Sequence, residues 1–416
     1  MSDLENIAIF TDKGDEEFGG NICRILGVEL SKNEAKQFSD SDPKLTLHGE
    51  LAGKDVFYVT RFHERTPLQF INTLLAIEAA TEESARSIHV VDCYCGMSRQ
   101  ERKTRPGEAV SMRVKAICFS ALELDSYTTF SIHSPTSIGF FHPSVTALTL
   151  PLWTLPLRYI HANTPAGKKL KIGSADTNTK PAMEMLSCST VKGDSRYDTE
   201  VAIINKDRVY ARSGEIDRNA LIGEVNGYAV VLIDDEIGTA STIINAAKLC
   251  KANGAAEIIA GATHCKASPD GKGIVLLETA MDEGFIDRCI LTNTCGIHPN
   301  LYEALNNPKY QDKFVIIPIE PVIAELIRLK SNAYSGKGST KINHLFSSAR
   351  IKTVYDRLHA ALTEREGSGL NSAQLTREIE FCNAMTWPVS GVFRAINDGR
   401  TQPTPDELHI YQKLIK

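Results

Sequence analysis

Short apolar runs alternate with amphipathic stretches along most of this chain, a rhythm that predicts a parallel α/β architecture. In the first 150 residues "NIAIFTD", "DVFYVTRF", "SIHVVDCYC" and "TTFSIHS" read as strands. Between them "LQFINTLLAIEAATEES" and "AVSMRVKAICFSALEL" carry the spacing of helices. A second set of strands follows in "TEVAIINK", "YAVVLIDDE", "AEIIAGATH", "RCILTNT" and "KFVIIPIE". The helix "TIINAAKLCKANG" lies among them, with Gly254 as its C-cap. The Pro-, Gly- and Thr-rich stretch "PLRYIHANTPAGKKLKIGSADTNTKP" reads as the junction between the two sets. No short repeat is present, yet two halves of similar size predict an internally duplicated architecture. After Lys330 the pattern changes: "SNAYSGKGSTKINHLFSS" reads as loop and residues 351–416 as helical.

Composition narrows the classes. A chain of 416 residues that is 42% hydrophobic and 23% charged is globular and long enough for two or three domains, each with a core of its own. A formal net charge of -5 gives no basic field for a phosphate backbone, so no nucleic-acid partner is expected. No apolar run approaches the roughly 20 residues a membrane span needs, so no membrane partner is expected either. The start "MSDLENIAIF" lacks the features of a secretory signal, and a cytoplasmic location is the expectation. Ten scattered cysteines, one Cys93-Tyr94-Cys95 pair and no CxxC read as small buried residues in a reducing compartment, not as a zinc site.

Candidate chemistry concentrates in "VVLIDDEIGTAST", residues 230–242, where an apolar strand runs into two carboxylates and then into small residues. A loop of that kind lies at the carboxyl end of a parallel strand, where open α/β sheets bind ligands, and it opens onto the free N–H groups of a helix. Small residues let a phosphate approach those amides; Thr239, Ser241 and Thr242 add hydroxyl donors. Asp234 and Asp235 can accept from a pair of sugar hydroxyls or hold a metal. These pieces suit a ribose bearing a 5-phosphate, although an Asx turn capping the helix also accounts for one of the acids. No Walker A pattern competes for a nucleotide, because "SGKGST" lacks the earlier glycine and does not follow a strand.

Here the sequence resembles the ribose-phosphate pyrophosphokinases, over about residues 5–350 and in colinear order. "KQFSDSD" resembles the family's nucleotide-binding segment, with Phe38 placed to stack on adenine and Asp40 and Asp42 beside it. "SRQERK" resembles its ARQD motif and implies ATP contacts from Arg99 and Gln100. "SIHSPTSIGFF" resembles the segment with the metal-associated histidine, here His133, and "GSADTN" puts Asp176 at the second metal-linked position. "IINKDRVY" resembles the flexible catalytic loop, with Lys206 and Arg208 at its two cationic positions. "VVLIDDEIGTAST", "GATH" and "LTNT" then follow, which assigns Asp234, Asp235, Thr239, Ala240, Ser241 and Thr242 to ribose-phosphate binding. "VIAELIRL" through "NHLF" resembles the closing segment.

The resemblance implies two phosphoribosyltransferase-like (Rossmann-like) α/β domains with parallel sheets and a helical C-terminal extension. Residues 1–155 would form the pyrophosphokinase domain on the ATP side, 156–350 the ribose-phosphate side, and 351–416 the extension. It implies Mg2+-dependent transfer of diphosphate from ATP to the anomeric hydroxyl of ribose 5-phosphate, releasing AMP, with Mg2+ partnered by His133 and Asp176. Lys206 and Arg208 would neutralise the transferring group. The family also implies a homo-oligomer, dimer or hexamer, with the nucleotide site shared between subunits. Read without it, each assignment has a plainer rival: a solvated turn for Lys206 and Arg208, a core histidine for His133, a surface ion-pair cluster for Arg99.

Several positions depart from the family pattern. Gly238 replaces the third acid of the phosphate loop, and Ser131 stands where an Asp before the histidine is common. Loss of that acid keeps a second acceptor in view: ADP-ribose, which contains ribose 5-phosphate, giving ADP-ribose pyrophosphate in phage NAD rebuilding. A non-catalytic regulatory subunit is the third reading. The extension carries eight basic and eight acidic residues. Its "WPVSGVFRAINDGRTQPTPDELHIYQKLI" loosely resembles half of a helix-turn-helix, but a neutral tail grips DNA weakly, so packing or assembly is its expected role.

Overall fold

The structure is a computed structural model that describes residue 4 and residues 6–61, 66–165, 167–175, 182, 195–198, 200–211 and 214–335. Its first sheet begins with β1 (Ile7–Thr11); a small antiparallel hairpin of β2 (Asn33–Gln37) and β3 (Pro43–Leu47) stands apart from it. β4 (Asp55–Thr60), β5 (Ser87–Asp92), β6 (Ser126–Phe130) and β7 (Thr146–Leu150) complete the sheet in the order β1-β4-β5-β6-β7, every pairing parallel. β4, β5 and β6 are buried at every position, which is why they read as continuous apolar runs. Helices α1 (Glu16–Leu26), α2 (Thr66–Glu82) and α3 (Ser111–Ala121) connect these strands, and α4 (Thr154–Ala162) leads out of the sheet.

The second sheet contains β8 (Leu170–Ser174), β9 (Ala202–Ala211), β10 (Gly214–Ile222), β11 (Ala229–Ile237), β12 (Glu257–Cys265), β13 (Arg288–Thr292) and β14 (Phe314–Ile317). Their order is β10-β9-β8-β11-β12-β13-β14, parallel except for the β9–β10 hairpin. Helices α5 (Ser241–Ala252), α6 (Lys272–Asp282), α7 (Pro299–Asn306) and α8 (Glu320–Ser335) accompany it. The strand order reverses between β8 and β11, so the topological switch point falls at the carboxyl end of β11. α5 ends at Ala252 with Asn253 as its C-cap, one residue before the glycine expected there, and Gly254 follows in the left-handed region at φ 87°.

Alternation along β11 divides the core. Val230 and Leu232 join the cluster under α5 and α6, whereas Val231 and Ile233 join a central cluster that also receives Phe57, Val91 and Phe130 from the first sheet. α1 packs on α8 there, Phe18, Ile22 and Leu26 meeting the cluster that holds Ile323 and Ile327. The two domains therefore share one core cluster, beside one drawn from the second domain alone and one drawn, but for Cys295, from the first. Each fully buried Leu, Ile or Phe of the shared layer contributes about 1.5–3 kcal/mol to the folded state.

The stretch read as a junction holds, among its described residues, most of α4 and the whole of β8, a central strand of the second sheet bonded to β11. Two residues hid it. A Cβ at Gly173 would lie 2.9 Å from Leu232 Cδ2 and 3.3 Å from Val230 Cγ1, so glycine suits the close side-chain packing from β11 there. Lys171, 1% exposed, is accommodated by Asp198 at 3.2 Å and Glu200 at 3.9 Å. Among the described residues no helix is long and apolar enough to cross a membrane, and eight cysteines are free, seven of them buried.

Candidate active site

A cavity of about 470 Å³ opens at the end of β11. Asp234 to Ala240, Thr242 and Ile243 line it from the strand and loop, Lys266, Ser268 and Pro269 from the segment after β12, and Arg99 and His133 from the first sheet. The strand persists through Ile237, so the carboxylates stand on regular β-structure and not on the loop. Alternation then separates them: Glu236 and Asp234 share one parity, Asp235 the other. Each of the two aspartates also accepts from the next backbone N–H, Asp235 N to Asp234 Oδ1 at 2.9 Å and Glu236 N to Asp235 Oδ1 at 3.0 Å.

His133 reaches across from the first sheet, its Nδ1 2.7 Å from Asp235 Oδ2. The Asp235 hydrogen bond raises the imidazole's pKa above its ordinary value, against the opposing effect of burial. Burial pushes the Asp235 carboxyl up, but bonds from His133 and Asp234 prevail and hold it below the usual range. The pair is thus biased toward imidazolium and carboxylate. Ser131 anchors this segment at φ 37°: its Oγ accepts from Leu152 N at 2.9 Å and from Thr263 Oγ1 at 3.1 Å. His264 of "GATH" lies buried beneath, Nδ1 2.9 Å from Thr294 Oγ1 of "LTNT" and Nε2 3.1 Å from Phe130 O. Burial lowers its pKa, so it serves as a neutral bridge between sheets.

Beyond β11 the chain turns through Gly238 and Thr239 to Ala240, which takes φ 61°, a left-handed conformation costing an alanine about 1–2 kcal/mol. Ala240 is the N-cap of α5, and no side chain caps that helix. The first-turn N–H groups are left to donate to an anion, and Thr239 and Ser241 hydroxyls, 2.8 Å apart, stand beside them. The first turn of α6 approaches closely: a Cβ at Gly273 would lie 2.2 Å from Gly238 O.

Arg99 and Tyr94 project from the loop after β5 onto Glu236: Arg99 Nη1 lies 3.1 Å from Oε1, and the Tyr94 hydroxyl donates to Oε2 at 3.1 Å. Lys266 Nζ lies 5.1 Å from the Tyr94 ring centroid, and His264 meets that ring edge-on at 5.0 Å. Below the loop a fully buried Lys115 pairs with Asp92 at 2.5 Å and donates to Gly96 O at 3.3 Å. Burial raises the Asp92 pKa to about 6. Tyr127 donates to the same carboxylate at 2.6 Å.

The structure thus brings together Arg99, His133, Asp234, Asp235, Thr239, Ala240 and Thr242, with Ser241 bonded at the rim. Gln100 is not among them: its amide donates to Arg102 O at 3.0 Å, drawn aside by the Glu108 turn. Phe38, Asp40 and Asp42 occupy the tip of the β2–β3 hairpin and do not line the cavity; Phe38 is 59% exposed. Lys206 and Arg208 fall within β9, opposite Asn219 and Asp217 of β10, not on a loop. Cross-strand pairing extends the β-structure past "IIN", where charged residues read as a turn. Asp176 and the extension lie outside the described residues. Glu236, Tyr94 and Lys266 were missed, since only the meeting of two sheets gives a lone Glu, Tyr or Lys such neighbours.

Fold and cavity together define a two-domain parallel α/β protein whose cleft opens at a switch point. Residues 7–122 match the family model described as the N-terminal domain of ribose phosphate pyrophosphokinase, and residues 199–336 that of the phosphoribosyl synthetase-associated domain. Ribose-phosphate pyrophosphokinase from Fusobacterium nucleatum is 28% identical over 334 residues, covering 80% of this chain and 98% of that protein. Its counterpart from Wolinella succinogenes is 28% identical over 328 residues, covering 78% and 96%. The crystal structure of phosphoribosylpyrophosphate synthetase from Mycobacterium smegmatis superposes with a TM-score of 0.67 at 22% identity, covering 80% of this chain and all of that one, and so shares the fold. The chain belongs to the ribose-phosphate pyrophosphokinase family of transferases.

Proposed function

We propose that this enzyme transfers diphosphate from ATP to the anomeric hydroxyl of ribose 5-phosphate, giving phosphoribosyl pyrophosphate and AMP. The observation that carries the reading is the His133–Asp235 contact between the two sheets, beside an uncapped helix start that suits a phosphate. The 5-phosphate sits on the amides and hydroxyls of Thr239 to Thr242, and Asp234 and Asp235 accept from the ribose hydroxyls. The anomeric oxygen attacks the β-phosphorus, the bond to the α-phosphate oxygen breaks, and AMP leaves. Lys206 and Arg208 neutralise charge on the transferring group, and His133 is held in place by Asp235. Alignment and neutralisation do most of the catalysis, since such transfers ask little covalent chemistry of side chains.

The carboxylates of Asp234 and Asp235 are the hard oxygen donors Mg2+ prefers. Among the described residues no three His, Cys, Asp or Glu side chains form a ready cage. That suits Mg2+, which commonly takes one or two carboxylates, substrate phosphates and water. When bound it neutralises the polyphosphate, and His133 and Asp176 are its proposed partners. Residues 1–155 form the ATP side in this reading and 156–350 the ribose-phosphate side. The exposed Phe38 tip, which does not line its own chain's cavity, supports a nucleotide site completed by a second copy in a dimer or hexamer.

One feature favours ADP-ribose as an alternative acceptor: a Cβ at Gly238 would meet no atom within 4 Å, leaving room beside Lys266 for another phosphate. Incubating the full chain with ATP, Mg2+ and each acceptor separately, and following AMP, tests the assignment. AMP with ribose 5-phosphate is the expected result. AMP with ADP-ribose alone would move the acceptor, and none with either would point to the regulatory reading.

A further inference from the structure

Glu236 is nearly enclosed, its side chain 11% exposed, while Arg99 is 65% exposed. An exposed arginine ordinarily samples many rotamers and loses that freedom on binding a ligand. Here one carboxylate from the second sheet takes donors from two residues of a single loop of the first, Tyr94 and Arg99. The same loop is held from beneath, where Lys115 donates to Gly96 O at 3.3 Å. Tyr94 is held again through its ring by Lys266 and His264. Two separate anchors on one loop, Lys115 of α3 from its own domain and Glu236 of β11 from the other, fix where the Arg99 guanidinium stands in the cavity.

We propose that Glu236 is a positioning residue: it spends one Arg99 nitrogen to hold the guanidinium at the cavity, so that the remaining donors meet the ATP polyphosphate already oriented. The inference rests on the reading that this cavity takes ATP. Glu236 touches no reacting atom. It acts through Arg99, and through Tyr94 it keeps the loop of one domain registered on the strand of the other. Pre-organisation of this sort lowers the ordering cost at binding and appears in nucleotide affinity ahead of acceptor affinity.

The test is a double-mutant cycle on the full chain, reading binding of Mg2+ and a non-hydrolysable ATP analogue by calorimetry, alongside KM for both substrates. Arg99→Ala should weaken analogue binding on the order of tenfold, and Glu236→Gln several-fold. The double variant should be no weaker than Arg99→Ala alone, and the acceptor KM should stay within about twofold throughout. Glu236→Gln keeps the carbonyl acceptor for Tyr94 and so preserves the fold, which thermal unfolding checks; Tyr94→Phe supplies an intermediate loss without touching the charge. Additive effects of the two substitutions, or tighter analogue binding in Glu236→Gln, would overturn the proposal while leaving the ATP site standing. Unchanged binding in Arg99→Ala would instead remove the ATP reading, and the proposal with it.

Discussion

Replacing Gly273 by alanine separates two opposite expectations. Gly273 is the second residue of α6, and glycine in a helix interior ordinarily costs about 0.5–1 kcal/mol relative to alanine. Propensity alone therefore predicts a more stable protein. The added methyl, however, would lie 2.2 Å from Gly238 O, 3.1 Å from Ala267 O and 3.2 Å from Ala267 C, all backbone atoms that cannot swing aside. To reach an ordinary contact the Gly238 carbonyl must retreat by about 1 Å. Overpacking of this kind costs about 1–3 kcal/mol, which outweighs the propensity gain. Gly238 leads directly into Thr239 to Thr242, so the shift passes to the phosphate loop, where a misplacement near 1 Å costs on the order of 10²-fold in rate. Thermal unfolding and acceptor kcat/KM read both consequences, with Tm expected to fall by about 2–4 °C per kcal/mol. Gly20→Ala in α1 is the control, because a Cβ there meets nothing within 4 Å and should raise stability. A Gly273→Ala protein as stable as that control, with unchanged acceptor kinetics, would refute the close approach.

Substitutions at three further positions have defined outcomes. Asp235→Asn should raise the acceptor KM far more than the ATP KM; equal effects would indicate a shared metal. Because Asp235 raises the His133 pKa, their mutual stabilisation is fully present below about pH 6.5 and is lost as pH climbs through the higher folded value. Tm measured from pH 5 to 9 should accordingly lose this decline in the Asn variant, because burial alone does not raise the His133 pKa. Lys206→Ala should cut turnover by several orders of magnitude with ATP binding within a few-fold, because its charge is needed chiefly in the transition state; near-normal turnover would dismiss the assignment. Lys115→Met leaves Asp92 buried without its cation and should cost about 3–5 kcal/mol by chemical denaturation, with Lys115→Met/Asp92→Asn recovering part of it.

Much of this protein was legible in its sequence because its strands are buried on both faces. β4, β5, β11 and β12 announce themselves as apolar runs, and small residues after a strand's acids mark the loop at its end. Those signals are local, set by backbone period and side-chain size. Pairings made over long separations carry no such period. Strand β8 stayed hidden because its Gly173 and Lys171 are explained only by Leu232 and Asp198, and the place of Lys206 and Arg208 within β9 is explained only by β10. Likewise the residues of "VVLIDDEIGTAST" determined by themselves that carboxylates and a helix start would share one strand end. Which carboxylate faces His133, and which takes Arg99 and Tyr94, was decided only when strand alternation met a second sheet across the shared core.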